Sequence, residues 1–361
     1  MFLRILGGFV ALVVLVWVVL YFVASSSLRD AEREPWPYDL GTIQQSLAAN
    51  NTRPVSNEAR QIAKLMDALP AEEATADAYL AAQSAKDDDT IDAPPPDAGL
   101  AGHDAAIAEL TRAVVAADHR IVWAEAGAPW NTEAVVNVLG ASALDHARNG
   151  DAAGAWERVH AVWLLARSMS NDSFRLDGTL KVHRVANAVA RKLSPPVPTW
   201  AGELAAFDPR REMAAIMFRD TASRIRTIRM MKGPIVILRP FSDSMEASNA
   251  RRVRAAAQSM ANAPRCRIDL SEESAHSGDI YRASRIDAEF EATEKLLALT
   301  AERARLGRWP ETLPGGGASR CADNRWIYDV KPGGKSMSLR MSFEVAPEPE
   351  VKNAPALRFE Y

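Results

Sequence analysis

The chain opens with an uninterrupted apolar run, ILGGFVALVVLVWVVLYFVA, which covers residues 5–24 and contains no charged side chain. An α-helix rises about 1.5 Å per residue, so a run of this length spans about 30 Å, the thickness of the hydrocarbon layer of a bilayer. The run is also longer than the apolar core of a secretory signal peptide, which has about 7–15 residues. We therefore predict an uncleaved transmembrane helix with the lipid bilayer as its partner. The alternatives are cleavage near Val23-Ala24-Ser25 and a buried core helix.

The charges around this run bear on its orientation. Arg4 and the α-amino group precede it, whereas Arg29 and Arg33 follow it among acidic residues, so the positive-inside bias is nearly balanced. The very short tail, residues 1–4, is most simply left in the cytoplasm. We predict a single-pass protein of a bacterial inner membrane, with its bulk in the periplasm.

Beyond the run, apolar residues recur mostly at the three- and four-residue spacing of helices. A polar segment, residues 25–36, is interpreted as a stalk, and residues 37–85 as N-terminal helices, one of them over 56–69 behind an N-cap at Ser56 or Asn57. An acidic segment with three prolines, residues 86–100, reads as an exposed linker. Residues 101–262 form the predicted helical domain, with helices near 102–124, 133–148, 152–169, 172–193, 209–232 and 243–262.

The period changes in the last region, residues 263–361. A helix over 280–306 is followed by segments in which Met337, Leu339, Met341 and Phe343 alternate with polar residues, as in a half-buried strand. We predict a β-hairpin from 326–330 and 336–345 around the turn KPGGK, with a third strand at 357–361. The expected fold class is mainly α, with an N-terminal transmembrane helix, an array of helical hairpins and a small C-terminal antiparallel sheet.

One stretch of the helical domain, residues 133–169, resembles a single tetratricopeptide-type hairpin. The resemblance rests on Asn149-Gly150-Asp151, then Ala155, then the apolar run 159–165. It implies helix pairs that stack on neighbours to bury their faces and that mediate protein–protein interaction. An ordinary helical hairpin has the same pattern, so both interpretations stay open.

The segment LGRWPETL, residues 306–313, lies between a helix and the predicted hairpin. This arrangement resembles the tail of type II secretion pseudopilins, and it is similar to uncharacterised bacterial anchored helical proteins with that tail. Gly8-Phe9 fits the pseudopilin processing point, but Val13 occupies the fifth mature position, where the family usually carries a glutamate. The resemblance implies a minor secretion component as an alternative function.

The net charge is only −3, which argues against a dedicated nucleic-acid binder, but the charge is unevenly distributed. Residues 30–133 carry a net charge of −12 and residues 209–267 a net charge of +9. The two segments could neutralise each other, or the basic one could bind anionic lipid headgroups or an acidic partner. The candidate basic interaction surface comprises Arg219, Arg224, Arg226, Arg229, Lys232, Arg251, Arg252 and Arg254.

Motifs for catalysis, cofactors or metals are missing from the sequence, and its six histidines never lie three or four residues apart. Cys266 and Cys321 are predicted to form a disulfide in an oxidising periplasm, the alternative being two buried thiols. We expect no cofactor and an anchored periplasmic interaction or assembly protein with an unidentified protein partner. An envelope hydrolase with an unrecognised site is the enzymatic alternative.

Overall fold

A computed structural model describes residues 2–38, 55–69, 102–123, 129, 131–169, 179, 182–183, 185–190, 193, 198–230, 237–262, 277–321, 324–342 and 358–360. The chain divides into two compact units. Unit 1 consists of Met1–Leu47, Arg210–Ala263 and Asp269–Ser277, and unit 2 of Ala48–Pro209, Pro264–Ile268 and Gly278–Tyr361. This division cuts across the predicted helical domain, residues 101–262. The predicted linker, residues 86–100, lies outside the described residues.

The predicted mainly helical architecture is confirmed. The helices are α1 (Phe2–Arg33), α2 (Asn57–Asp67), α3 (Asp104–Ala117), α4 (Thr132–Arg148), α5 (Ala152–Ser168), α6 (Gly202–Ala206), α7 (Pro209–Met230), α8 (Arg239–Asn262) and α9 (Ser277–Leu306). Of the helix predicted over 172–193, residues 182–183 and 185–190 are helical.

Helix α1 continues well beyond the apolar run. It ends at Arg33, two residues before Pro35, whose ring disfavours helical geometry in the residue that precedes it. Ala24, Leu28 and Ala31 follow each other at helical spacing and are buried. Residues 25–33 of the predicted polar stalk thus form the last turns of α1, and this stripe gives them a face that packs. Within the described residues, α1 is the one helix long and apolar enough to span a membrane.

The centre of unit 1 is built from α1, α7 and α8. Leu28 and Ala31 of α1 share a small apolar cluster with Ile225 of α7 and with Ala247 and Ala250 of α8. Small side chains on two of the three helices allow their backbones to approach closely. This packing positions the site described below.

The core of unit 2 lies among α2, α3, α4 and α5. The α4–α5 hairpin turns at Gly150, whose φ of +76° is one that glycine adopts without strain, and Asp151 caps α5 by accepting from the Gly154 amide at 3.0 Å. Ala155, in the first turn of α5, is fully buried. The helical hairpin is thus present, whereas its membership of a repeat family stays a prediction.

The predicted C-terminal sheet is confirmed with three antiparallel strands, β1 (Trp326–Val330), β2 (Met337–Met341) and β3 (Arg358–Glu360), in the order β1-β2-β3. In the register, Leu339 lies opposite both Tyr328 and Phe359. The alternation predicted for β2 is observed, since Met337, Leu339 and Met341 are buried. They pack in one cluster with α9 and with Trp309. Phe343 lies outside the described residues.

Candidate functional site

The clearest functional feature of unit 1 is a hydrogen-bonded seam between α1 and α8. The Ser25 hydroxyl donates to the Asp243 carboxylate at 2.8 Å, and the Arg251 guanidinium donates to the Ser27 hydroxyl at 3.2 Å and to the Glu34 carboxylate at 3.1 Å. Residue numbers rise together on both helices, so α1 and α8 run parallel. Every polar residue named here on α1 lies in the segment that the sequence assigns to a stalk.

Arg254 lies at the end of this seam that is nearest to Glu34. Its side chain is only 9% exposed, and its guanidinium donates to the Glu34 carboxylate and to the Ala31 carbonyl oxygen. The guanidinium carbon also lies 5.4 Å from the centre of the Trp36 ring, within cation–π range. Arg254 therefore donates to a backbone carbonyl of α1 and also contacts a carboxylate and an aromatic ring just beyond the end of that helix.

The arginines hold Glu34 in its charged form. The hydrogen bond from Arg251 lowers the pKa of the Glu34 carboxyl, and the positive charges of Arg254 and Arg251 add to the effect. Burial lowers the pKa of Arg254, but guanidinium groups stay protonated in proteins. The end of α1 is thus fixed by fully ionised groups at neutral pH.

Helix α7 contacts α1 and the segment that follows it. Arg229 forms an ion pair with Glu32 of α1, and the Phe218 ring meets the Trp36 ring edge to face with centroids 5.4 Å apart. These contacts bring α7 to the same end of α1 that Arg254 holds.

A pocket of about 280 Å³ lies between these helices. Flat aromatic walls combine there with an excess of positive charge, an arrangement suited to a group with an anionic and an apolar part. Such a ligand would compete with Glu32 and Glu34 for the guanidinium groups of Arg229 and Arg254. The lining side chains that matter chemically are Glu32, Trp36, Phe218, Arg226, Arg229 and Arg254.

The predicted basic surface is only partly brought together. Arg229, Arg251 and Arg254 converge on α1, where they bind acidic residues of the negatively charged segment. The others are dispersed or lie outside the described residues. Arg219 is half-buried, Arg224 pairs with Asp220 at 3.1 Å, Arg226 lines the pocket, Arg252 donates to Asn249 at 3.4 Å, and Lys232 is outside the described residues.

Sequence reasoning allowed the acidic segment, residues 30–133, to neutralise the basic one, but it named no individual partners of these arginines. Ser25, Glu32 and Glu34 lie in the predicted polar stalk, and Asp243 was given no role. Their signal in the sequence is weak, because the pairs join segments about 200 residues apart, as the 220 residues between Glu34 and Arg254 show. Only the spacing of Ala24, Leu28 and Ala31 could have indicated a buried face.

Among the described residues of unit 2, His183 is a fully buried ionisable side chain. Its Nδ1 lies 2.7 Å from the Thr293 hydroxyl oxygen, its ring meets Phe290 edge to face, and Nε2 has no hydrogen-bond partner among the described residues. Burial lowers the pKa of His183 well below its ordinary value, so the imidazole is neutral. The side chain is fully buried, so this arrangement explains packing and charge state rather than access to a substrate.

The two predicted disulfide cysteines are described unequally. Cys321 is buried and disulfide-bonded, whereas Cys266 lies outside the described residues, so the pairing stays a prediction. Across the described part of the chain, no cluster of three or more histidine, cysteine or acidic side chains could hold a metal ion.

Comparisons with models of known protein families, with curated proteins and with solved structures find no match.

Proposed function

We propose that the protein is a single-pass, membrane-anchored interaction module. In this proposal α1 crosses the inner membrane of a bacterium, and the folded units present helical surfaces in the periplasm to a protein partner. The observation that carries the proposal is the continuity of α1. Its first part exposes large apolar side chains such as Leu12 and Phe22, and its last part is built into unit 1.

Retention of the N-terminal segment is supported by the packing around Ala24. Ala24 is buried, and the next residue, Ser25, donates to Asp243. Cleavage between them would divide a packed helix in the middle. A signal peptide is removed without loss to the mature fold, whereas this segment contributes to it.

Two observations support the periplasmic side. Arg4 directly precedes the apolar run, and a basic residue there favours retention of this end in the cytoplasm. Cys321 is disulfide-bonded, and disulfides persist in oxidising compartments such as the periplasm.

An interaction role is supported by the form of the surfaces. The α4–α5 hairpin has the shape on which helical recognition surfaces are built, and the pocket of unit 1 combines arginines with two aromatic rings. Arginine and aromatic side chains are enriched where proteins bind one another.

The anchor is tested by fractionating cells that express the full chain. Alkaline carbonate should leave the protein in the membrane pellet, mass spectrometry should find residues 1–24 attached, and alkaline phosphatase fused after Tyr361 should be active. Leu12→Arg with Val16→Arg should prevent insertion, since each charge at the centre of the span costs about 2.5–3.5 kcal/mol. Leu12→Ala with Val16→Ala is the matched control.

Different outcomes separate the alternatives. Full-length protein in the soluble fraction contradicts an anchor, and a mature N-terminus at Phe9 supports the secretion-pilus function instead. The partner is sought by crosslinking intact cells and recovering the full chain. Recovery of a protein that is lost with Arg226→Glu, but kept with Arg252→Glu, supports the interaction role, whereas recovery of no specific protein contradicts it.

A further inference from the structure

Exposed apolar side chains concentrate around the start of α8. Among the described residues outside α1, six large apolar side chains are exposed, and four of them lie between residues 237 and 245. Their exposed fractions range from 57% to 69%. We call this set the apolar tip: Ile237, Leu238, Phe241 and Met245.

The first residue of the apolar tip lies beside the apolar run of α1. The indole N–H of Trp17 donates to the carbonyl oxygen of Ile237 at 2.8 Å, and the Arg239 guanidinium carbon lies 5.6 Å from the centre of the Tyr21 ring. Trp17 precedes Ala24 by seven residues, about 10 Å along a helix, and Tyr21 precedes it by three, about 4.5 Å. Ile237 and the start of α8 therefore lie at the level of the last turns of the apolar run.

We infer that the apolar tip inserts into the outer leaflet of the bilayer and forms a second membrane contact next to α1. The inference rests on the proposed function, because it requires α1 to span the membrane. Because the run spans the hydrocarbon layer, a residue held at the level of Trp17 then lies among the acyl chains of the outer leaflet, about 10 Å below the end of the run. Side chains that are exposed in unit 1 are covered there by lipid.

The occupant is lipid rather than a protein because the tip continues the exposed apolar surface of α1 itself. The bilayer that covers Val19 and Phe22 of α1 reaches Ile237 and Phe241 at the same level. A protein partner would have to displace lipid from both surfaces at once.

The polar groups near the tip are compatible with this depth. Pro240 stands in the first turn of α8 and has no amide hydrogen to leave unsatisfied. The Arg239 side chain, 30% exposed, lies over Tyr21 and has its Nε 3.9 Å from the Asp243 carboxylate, and its length lets it extend toward headgroups. Asp243 itself is buried and accepts from Ser25, so its charge does not face lipid.

The test uses full-length protein in nanodiscs of phosphatidylethanolamine and phosphatidylglycerol. A photo-crosslinking phenylalanine analogue is introduced at Phe241 or Met245, and at Ser259 as the control. All three positions are exposed on α8, so the probe displaces no packed side chain, and Ser259 lies about 27 Å farther along the helix. Circular dichroism confirms that each variant is folded.

We expect lipid adducts by mass spectrometry at 241 and 245, and none above background at 259. Adducts to a second copy or to a co-purified protein, or equal lipid yields at all three positions, would overturn the inference. Carbonate extraction separates the two hypotheses. A protein that stays in the pellet but gives no lipid adduct at 241 and 245 refutes the second contact alone, whereas a protein that is extracted refutes the anchor.

Discussion

Arg254 of α8 and Glu34, just past the end of α1, form an ion pair across 220 residues of sequence. The same guanidinium binds the Ala31 carbonyl oxygen and faces the Trp36 ring. One buried side chain thus joins the C-terminal end of α1 to α8, and the stability of this end depends on a residue far away in the sequence.

Replacing Arg254 by methionine is expected to loosen this end of α1. The change removes two hydrogen bonds that involve charge, and the loss should be about 2–3 kcal/mol, since such bonds contribute about 1.5–3 kcal/mol each and Glu34 is partly solvated. Hydrogen exchange of the amides of residues 28–33 measures the effect directly. Arg252→Met is the control, because Arg252 is exposed and donates to Asn249 on the same helix, so its replacement should change stability by less than about 0.5 kcal/mol. Equal exchange rates in the two variants would contradict the role of Arg254.

Unit 2 should lose stability in mild acid because of His183. Burial lowers the pKa of His183, so the folded imidazole stays neutral, whereas the unfolded chain binds a proton below about pH 6.5. The contribution is therefore complete above about pH 6.5 and is lost as the pH falls toward the folded pKa, by up to about 1.4 kcal/mol per pH unit. Urea unfolding at a series of pH values measures this slope.

The variant that tests this slope is His183→Gln. Glutamine at 183 does not titrate, so the slope of the unfolding free energy below about pH 6.5 should fall by up to about 1.4 kcal/mol per pH unit. A slope that survives His183→Gln would show that other groups cause the acid sensitivity.

The β1–β2 turn provides a test with two adjacent glycines. Gly333 and Gly334 both have positive φ, but a Cβ at Gly334 would lie 2.9 Å from the Trp309 carbonyl oxygen, whereas a Cβ at Gly333 would meet nothing within 4 Å. Gly333→Ala should cost about 1 kcal/mol from backbone strain alone, and Gly334→Ala about 2–4 kcal/mol because it also displaces the Trp309 backbone. Thermal unfolding measures the loss of stability in each variant. Equal losses would show that the backbone around Trp309 shifts without an energetic cost.

The predicted disulfide is tested by two single substitutions. If Cys266 is the partner of Cys321, Cys266→Ser and Cys321→Ser should each lower stability by about 3–4 kcal/mol, as expected for a closed loop of about 55 residues. The double variant should be no less stable than either single one. Two thiols that react with maleimide in unfolded, unreduced protein would contradict the pairing.

The elements that the sequence predicts well are those whose burial follows a local period. Ile107, Leu110 and Val114 recur at helical spacing, and they are buried on α3. Met337, Leu339 and Met341 alternate with polar residues, and they form the buried face of β2. In both cases a few neighbouring residues carry the whole pattern.

Unit 1 was harder to predict because its contacts join residues that are distant in sequence. The segment SSSLRDAER reads as solvated when taken alone, and its packed face consists largely of alanine, which carries little hydrophobic signal. The charge distribution left open whether the basic residues neutralise the acidic segment or bind an external group, and Arg229, Arg251 and Arg254 bind Glu32 and Glu34 of that acidic segment.

A stalk and a continuous helix would place unit 1 differently with respect to a membrane. A flexible polar coil of about a dozen residues would let a domain change its distance and orientation relative to the lipid. The part of α1 from Ala24 to Arg33 is instead a continuous helix about 15 Å long, and both α7 and α8 pack against it. When α1 crosses a bilayer, its tilt and rotation therefore determine the orientation of unit 1 and its distance from the membrane surface. The pocket beside Trp36 is then held at a defined distance from the lipid.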